Sequence, residues 1–169
     1  MTARSLVLLR HAKAESPAGS TDEQRPLSAR GQLDARAAGV WLAGRHVPDL
    51  VLCSPSRRTR QTWQAVAASL QARGVTADPE VRYERLLYGG DVTDALGLIR
   101  EVDDAWRAVL VIGHNPGLSQ LAYDLDPDGG LDSDGLRTCG LSVHQLTGAW
   151  QKCGPSLAPI TVLHTARGE

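Results

Sequence analysis

Three apolar runs in this chain stop at side chains that grip or attack anions. Leu6-Val7-Leu8-Leu9 ends in Arg10-His11, Leu50-Val51-Leu52-Cys53 leads into Ser54-Pro55-Ser56-Arg57-Arg58, and Val109-Leu110-Val111-Ile112-Gly113 stops at His114. A guanidinium offers a planar fork of donors that fits phosphoryl oxygens, and a neutral imidazole nitrogen can attack phosphorus. Two arginines and two histidines gathered at one spot would repel one another unless an anion lay among them, so their convergence predicts a phosphate site. Neighbouring cations disfavour the imidazolium form, which keeps His11 usable as a nucleophile at neutral pH. The arginines would spread over the equatorial oxygens of a phosphoryl group in transit, where charge stabilisation does most of the catalytic work.

Convergence requires elements that bring the three ends together. Short aliphatic runs suit strands buried on both faces of a parallel sheet, and such sheets present reactive groups at their carboxyl ends. Residues 14–26, broken by Pro17, Gly19 and Pro26, read as a loop leaving the first strand. A helix is predicted over 29–43, with Ser28 as N-cap, Gly44 as stop, and Leu33, Ala37, Val40 and Trp41 on its apolar face. A second helix runs from about Ser56 to Gly74 on a stripe of Trp63, Val66, Ala67 and Leu70, and its first turn adds N–H donors at the same rim. Beyond it the pattern gives a short strand near Val81, a loop through Leu86–Gly90, and a helix over 91–102 with Ala95, Leu96, Ile99 and Val102 inward. Pro116 opens a further helix with Leu118, Leu121, Ala122 and Leu125 on its apolar face. Residues 126–135 read as an exposed loop, and 141–146 and 160–164 alternate as half-buried or edge strands do. The expected fold is α/β, a three-layer α/β/α sandwich with a mostly parallel central sheet, formed by one domain over 1–169.

Composition narrows the class. With 169 residues, 42% hydrophobic and 22% charged, the chain suits one domain with a substantial core, and a net charge of −1 gives no global attraction to nucleic acid or to an anionic membrane. The positive charge must act locally. Cys53, Cys139 and Cys153 fit neither a C-x-x-C site nor an even disulfide framework, so reduced thiols in a cytoplasm are expected. Arg10, His11 and Lys13 interrupt the first apolar run before it could serve as a signal-peptide core, and no run could span a bilayer. Zinc is disfavoured because no Cys, Asp or Glu has ligand spacing beside the two histidines. A cysteine phosphatase needs Cys followed by five residues and then Arg; counting from Cys53 lands on Thr59. Neither common nucleotide-binding glycine loop is present. His46, His144 and His164 read as structural, Trp41 and Trp63 as core, and Arg57 and Arg60 as solvated or touching the surroundings of the substrate.

Taken together, Leu8-Leu9-Arg10-His11, Arg25-Pro26-Leu27-Ser28 with Gly31, Ser54-Pro55-x-x-Arg58-x-x-Gln61-Thr62 and Gly113-His114-Asn115-Pro116 resemble the histidine phosphatase superfamily, and its SixA-type phosphohistidine phosphatases in particular. The resemblance runs in order from Leu6 to about Tyr123. It implies a metal-independent and cofactor-free phosphatase that works through a phosphohistidine on His11, with Arg10 and Arg58 gripping the phosphate and His114 completing the pocket by hydrogen-bonding it. Arg25 matches an arginine that the SixA branch carries beside the site. Ala12 stands where the broad superfamily has Gly, a change the SixA branch shares. Larger members carry a Glu three residues before a Tyr-Gly pair; that position here is Arg85, which leaves Glu84 or Asp91 as candidate general acids. A phosphorylated imidazole departs more readily than an alkoxide, so a missing acid favours a phosphohistidine protein as substrate. The alternatives are a small phosphomonoester, or a phosphate-binding regulatory module without turnover.

Overall fold

Alternation of side chains along four parallel strands builds two cores at once. The computed structural model describes residues 3–169. Its strands are β1 (Ala3–Arg10), β2 (Leu50–Cys53), β3 (Glu80–Tyr83), β4 (Ala108–Gly113), β5 (Gly140–Thr147) and β6 (Ile160–Thr165), joined in one sheet of order β3-β2-β4-β1-β5-β6. The first four are mutually parallel, and β5 runs antiparallel to both β1 and β6. Leu6, Leu8, Leu50, Leu52, Val109 and Val111 pack on one face against α4 (Val92–Arg100) and α5 (Gly117–Leu125). Val7, Leu9, Val51, Cys53, Leu110 and Ile112 pack on the other against α1 (Ala29–Ala43) and α2 (Arg57–Ala72). This is the expected three-layer sandwich. Among the described residues no helix is long and apolar enough to cross a membrane.

The chain leaves β1 for a helix on one face and leaves β4 for a helix on the other, although the two strands are neighbours. That reversal opens a crevice at their carboxyl ends, where open α/β sheets bind ligands.

Several local expectations need correction. Helix α1 has the predicted bounds, but it buries Ala35, Ala38 and Leu42, while Val40 is 39% exposed and Leu33, Ala37 and Trp41 are only half-buried. The reason is close packing on α2: a Cβ added at Gly39 would lie 2.6 Å from the Val66 carbonyl oxygen and from Ser69 Cβ. Small residues therefore face the interior, a pattern that hydrophobic periodicity overlooks. Trp41 instead stacks on His164 at 4.7 Å between ring centroids. The stretch Leu86–Gly89 is a single helical turn, α3, rather than a loop. Strand β5 is not half-exposed over Gly140 to His144, because both of its faces are covered: Leu141 and Val143 pack into the core under α1 and α2, while His144 on the opposite face bonds to the Ala158 carbonyl at 2.8 Å.

Candidate active site

Sheet register places His11 and His114 side by side. Arg10 pairs with Gly113 across β1 and β4, and the His11 N–H donates to the Gly113 carbonyl at 3.1 Å. One residue further, His11 and His114 face each other with ring centroids 5.2 Å apart. On the other side of β4, Cys53 pairs with Ile112, and the Ser54 N–H donates to the Ile112 carbonyl at 3.0 Å. The Ser54 hydroxyl thereby comes within 2.8 Å of His114 Nε2.

Helix α2 brings the arginine. Its N-cap Ser56 accepts from the Thr59 N–H, so the first turn and its positive dipole end point into the crevice with Arg58 aboard. Thr62, one turn on, accepts from the Ala12 N–H at 3.1 Å and donates to the Arg58 carbonyl at 2.7 Å, locking the residue after His11 to the helix. Gln61 accepts from the Leu27 N–H at 2.7 Å. A Cβ on Gly31 would meet the Lys13 carbonyl at 2.1 Å, so only glycine lets the start of α1 close on the segment after His11.

Burial and charge set the protonation states. His11 is 8% exposed, and its pKa is lowered to about 4 by burial, with the charges of Arg58, Arg10 and Arg25 adding to that effect. Nδ1 lies 2.7 Å from the Ala12 carbonyl, which only accepts, so the proton resides on Nδ1 and Nε2 carries the free lone pair. The pKa of His114 is lowered to about 3, first by burial and then by His11 and Arg58. Arg58 NH2 lies 3.4 Å from its Nδ1. Arg10 is half-buried and donates from NH1 to the Leu136 carbonyl at 3.1 Å. The Nε–H groups of both Arg10 and Arg58 are buried and find no partner among the described residues. Buried guanidinium donors without acceptors are costly, and an anion in the crevice would satisfy them.

The structure therefore brings together Arg10, His11, Arg58 and His114. Arg25 stands at the rim, donating from Nε to the Glu15 carbonyl at 3.0 Å and pairing with Asp22 at 3.2 Å. Among the described residues neither acid candidate hydrogen-bonds to these four groups. Glu84 is half-buried at the end of edge strand β3, two strand spacings from β4, and among the described residues it bonds to none of these groups. Asp91 caps α4, accepting from the Asp94 N–H at 3.0 Å, and lines a cavity of about 110 Å³ with Leu87, Tyr88 and His114. Arg85, at the position where larger relatives carry an acid, forms a two-pronged pair with Glu23 at 2.9 and 3.2 Å.

Three further residues belong to the site: Ser54, Asp22 and Tyr88. Asp22 Oδ2 accepts from Arg58 NH2 at 3.0 Å and from the Tyr88 hydroxyl at 2.7 Å, and the Asp22 carbonyl accepts from Arg58 NH1 at 2.7 Å. The Tyr88 bond, followed by those from Arg58 and Arg25, holds the Asp22 carboxyl well below the usual carboxylate range. Tyr88 also sets its ring edge-on to His114, with centroids 5.6 Å apart. Only the Ser54-Pro55 motif hinted at any of these in the sequence.

Comparison with known proteins identifies the family and the fold. A model of the histidine phosphatase superfamily (branch 1) matches residues 6–84. An uncharacterized protein of Mycobacterium tuberculosis is 35% identical over 167 residues, covering 94% of this chain and 100% of that protein. A solved structure named "Putative Phosphohistidine Phosphatase SixA", from Nakamurella multipartitia, is 32% identical with a TM-score of 0.83 over 98% of both chains. The protein histidine phosphatase SixA complexed with tungstate shares the fold, with a TM-score of 0.78 at 24% identity over 95% of this chain and 96% of that one.

Proposed function

The chain belongs to the histidine phosphatase superfamily and is a phosphatase, and from that premise we propose that it removes phosphate from phosphohistidine on proteins, without a metal, through a phosphoenzyme on His11. The observation that carries this reading is the state of His11: a buried neutral imidazole, its proton fixed on Nδ1 by the Ala12 carbonyl, with Nε2 free among arginine donors.

In the proposed reaction the Nε2 lone pair of His11 attacks phosphorus as the bond to the leaving group breaks, and that group departs with the electron pair. Arg10 and Arg58 hold the equatorial oxygens through both states. His114 Nδ1 lies beside Arg58 NH2 at 3.4 Å; as the entering phosphoryl group takes that Arg58 donor, the Ser54 hydroxyl donates to His114 Nε2 and the ring proton sits on Nδ1, which donates to the phosphoryl group. Water then attacks the phosphorus of phospho-His11, releasing inorganic phosphate and restoring the imidazole.

The surrounding carboxylates support a leaving group that needs little help. Asp22 and Glu23 are held ionised by their hydroxyl and arginine partners, Glu84 stands at the sheet edge, and Asp91 is engaged as a helix cap. An alkoxide leaving group calls for a proton donor, whereas the imidazole of a phosphohistidine, carrying a proton on its other ring nitrogen, departs as a neutral and much weaker base. Buried free thiols at Cys53, Cys139 and Cys153 support residence in a reducing cytoplasm.

A panel of phosphohistidine peptide, phosphoserine peptide, sugar phosphates and p-nitrophenyl phosphate, assayed with and without EDTA, tests the reading. Fastest turnover of the phosphohistidine peptide, unchanged by EDTA, is expected. Preference for sugar phosphates would point to a small-molecule phosphomonoesterase, and tungstate binding with no turnover would point to a binding module.

A further inference from the structure

Arg58 does not meet the crevice with a bare fork. Both terminal nitrogens are engaged by Asp22, NH1 by its carbonyl at 2.7 Å and NH2 by its carboxylate at 3.0 Å, and NH2 also lies 3.4 Å from His114 Nδ1. Among the described residues, only its buried Nε–H is left without a partner. A phosphoryl group that engages Arg58 along the edge formed by Nε and NH2 therefore shares NH2 with a carboxylate already in place.

Resting on the phosphatase reading above, we propose that Asp22 is a positioning residue, an internal anion that shares Arg58 with the phosphoryl group and so limits how tightly the pocket holds phosphate. Three contacts keep it there without help from a substrate: Arg58, the Tyr88 hydroxyl at 2.7 Å on the same oxygen, and Arg25 at 3.2 Å on the other. The cations facing the crevice are Arg10, Arg25 and Arg58, and Asp22 offsets one of them. Neighbouring Glu23 is occupied by Arg85 and, among the described residues, makes no hydrogen bond to Arg58. An enzyme that releases inorganic phosphate at each turnover gains from such an offset, because three uncompensated guanidinium groups would retain a dianion.

The sign of the effect separates this role from scaffolding. Asp22→Asn keeps an oxygen for Arg58 and Tyr88 but removes the charge, and a residue that merely braced the loop would on substitution leave anion binding unchanged or weaker. The Asp22 side chain is 56% exposed, so solvent screens its field and a change of about tenfold is expected. Calorimetric titration of the wild-type protein, D22N and D22A with tungstate and with inorganic phosphate at pH 7.5 reads it directly. The expected result is binding about tenfold tighter in D22N, with a lower KM for p-nitrophenyl phosphate and a kcat no higher than that of the wild type. Binding in D22N that equals or falls below the wild-type value overturns the proposal, whatever D22A does. Failure of the wild-type protein to take either anion would instead overturn the phosphate-pocket reading on which it rests.

Discussion

The Ser54 hydroxyl lies 2.8 Å from Nε2 of His114, joining the end of β2 to the residue that follows β4. Ser54 is fully buried, and a hydroxyl either donates or accepts, so it fixes the orientation of the imidazole while leaving its tautomer adjustable. Replacing Ser54 with Ala removes this partner and leaves a ring nitrogen buried and unsatisfied. Stability should fall by about 1–2 kcal/mol in urea unfolding, and kcat/KM should fall about tenfold as His114 loses its alignment.

Arg58→Lys is not a conservative change here. A lysine ammonium cannot present the coplanar Nε, NH1 and NH2 donors that serve Asp22 and the crevice together. Loss of contacts made in both the bound and transition states should raise KM and lower kcat, with kcat/KM down by roughly 10² or more. A kcat/KM within threefold of the wild type would exclude Arg58 from phosphate binding.

The depressed histidines make two predictions about pH. Free imidazole titrates near pH 6.5, whereas His11 titrates at about 4 and His114 at about 3. As pH falls from 8 to 5, His11 stays neutral, so the enzyme contributes no loss of kcat/KM around pH 6.5 once the ionisation of the substrate is allowed for. Stability behaves differently. Between pH 6.5 and 4 the unfolded chain binds protons that the folded site refuses, so stability is full above pH 6.5 and is lost as pH falls through that window. His11→Asn should flatten this decline in urea titrations at pH 7 and 4.5, without abolishing it, since His114 and buried His144 are depressed in the same direction.

Gly39→Ala tests the packing of the layer that carries Arg58. The added methyl would sit 2.6 Å from both the Val66 carbonyl oxygen and Ser69 Cβ, and the backbone contact cannot be relieved by a rotamer change. Overpacking of this kind costs about 1–3 kcal/mol, measurable as a lower urea midpoint.

How much of this was legible in the sequence depended on the kind of signal each residue carries. Arg10 ends β1, His11 and His114 follow directly after strands, and Arg58 lies in the first turn of a helix, so strand ends and sheet register were sufficient to bring them together. Asp22 sits in a polar loop with no periodicity, and its partners Arg58 and Tyr88 are 36 and 66 residues away. Nothing local distinguishes it from the other acidic residues of that loop. The face of α1 was misread for a different reason: close contact with α2 selects Gly39 and alanines for the interior and leaves Val40 outward, reversing the hydrophobic pattern. Cys53 shows that position alone is insufficient, since it ends β2 beside the site but is buried, its thiol pushed up to about 12.

In the proposed mechanism the phosphoryl group passes through His11. Brief incubation with a ³²P-labelled phosphohistidine donor, followed by acid or alkaline quench, tests it most directly. The label should remain on the protein in alkali, be lost in acid, and be absent from His11→Ala, which should also lack turnover. Undiminished labelling and turnover in His11→Ala would contradict the account.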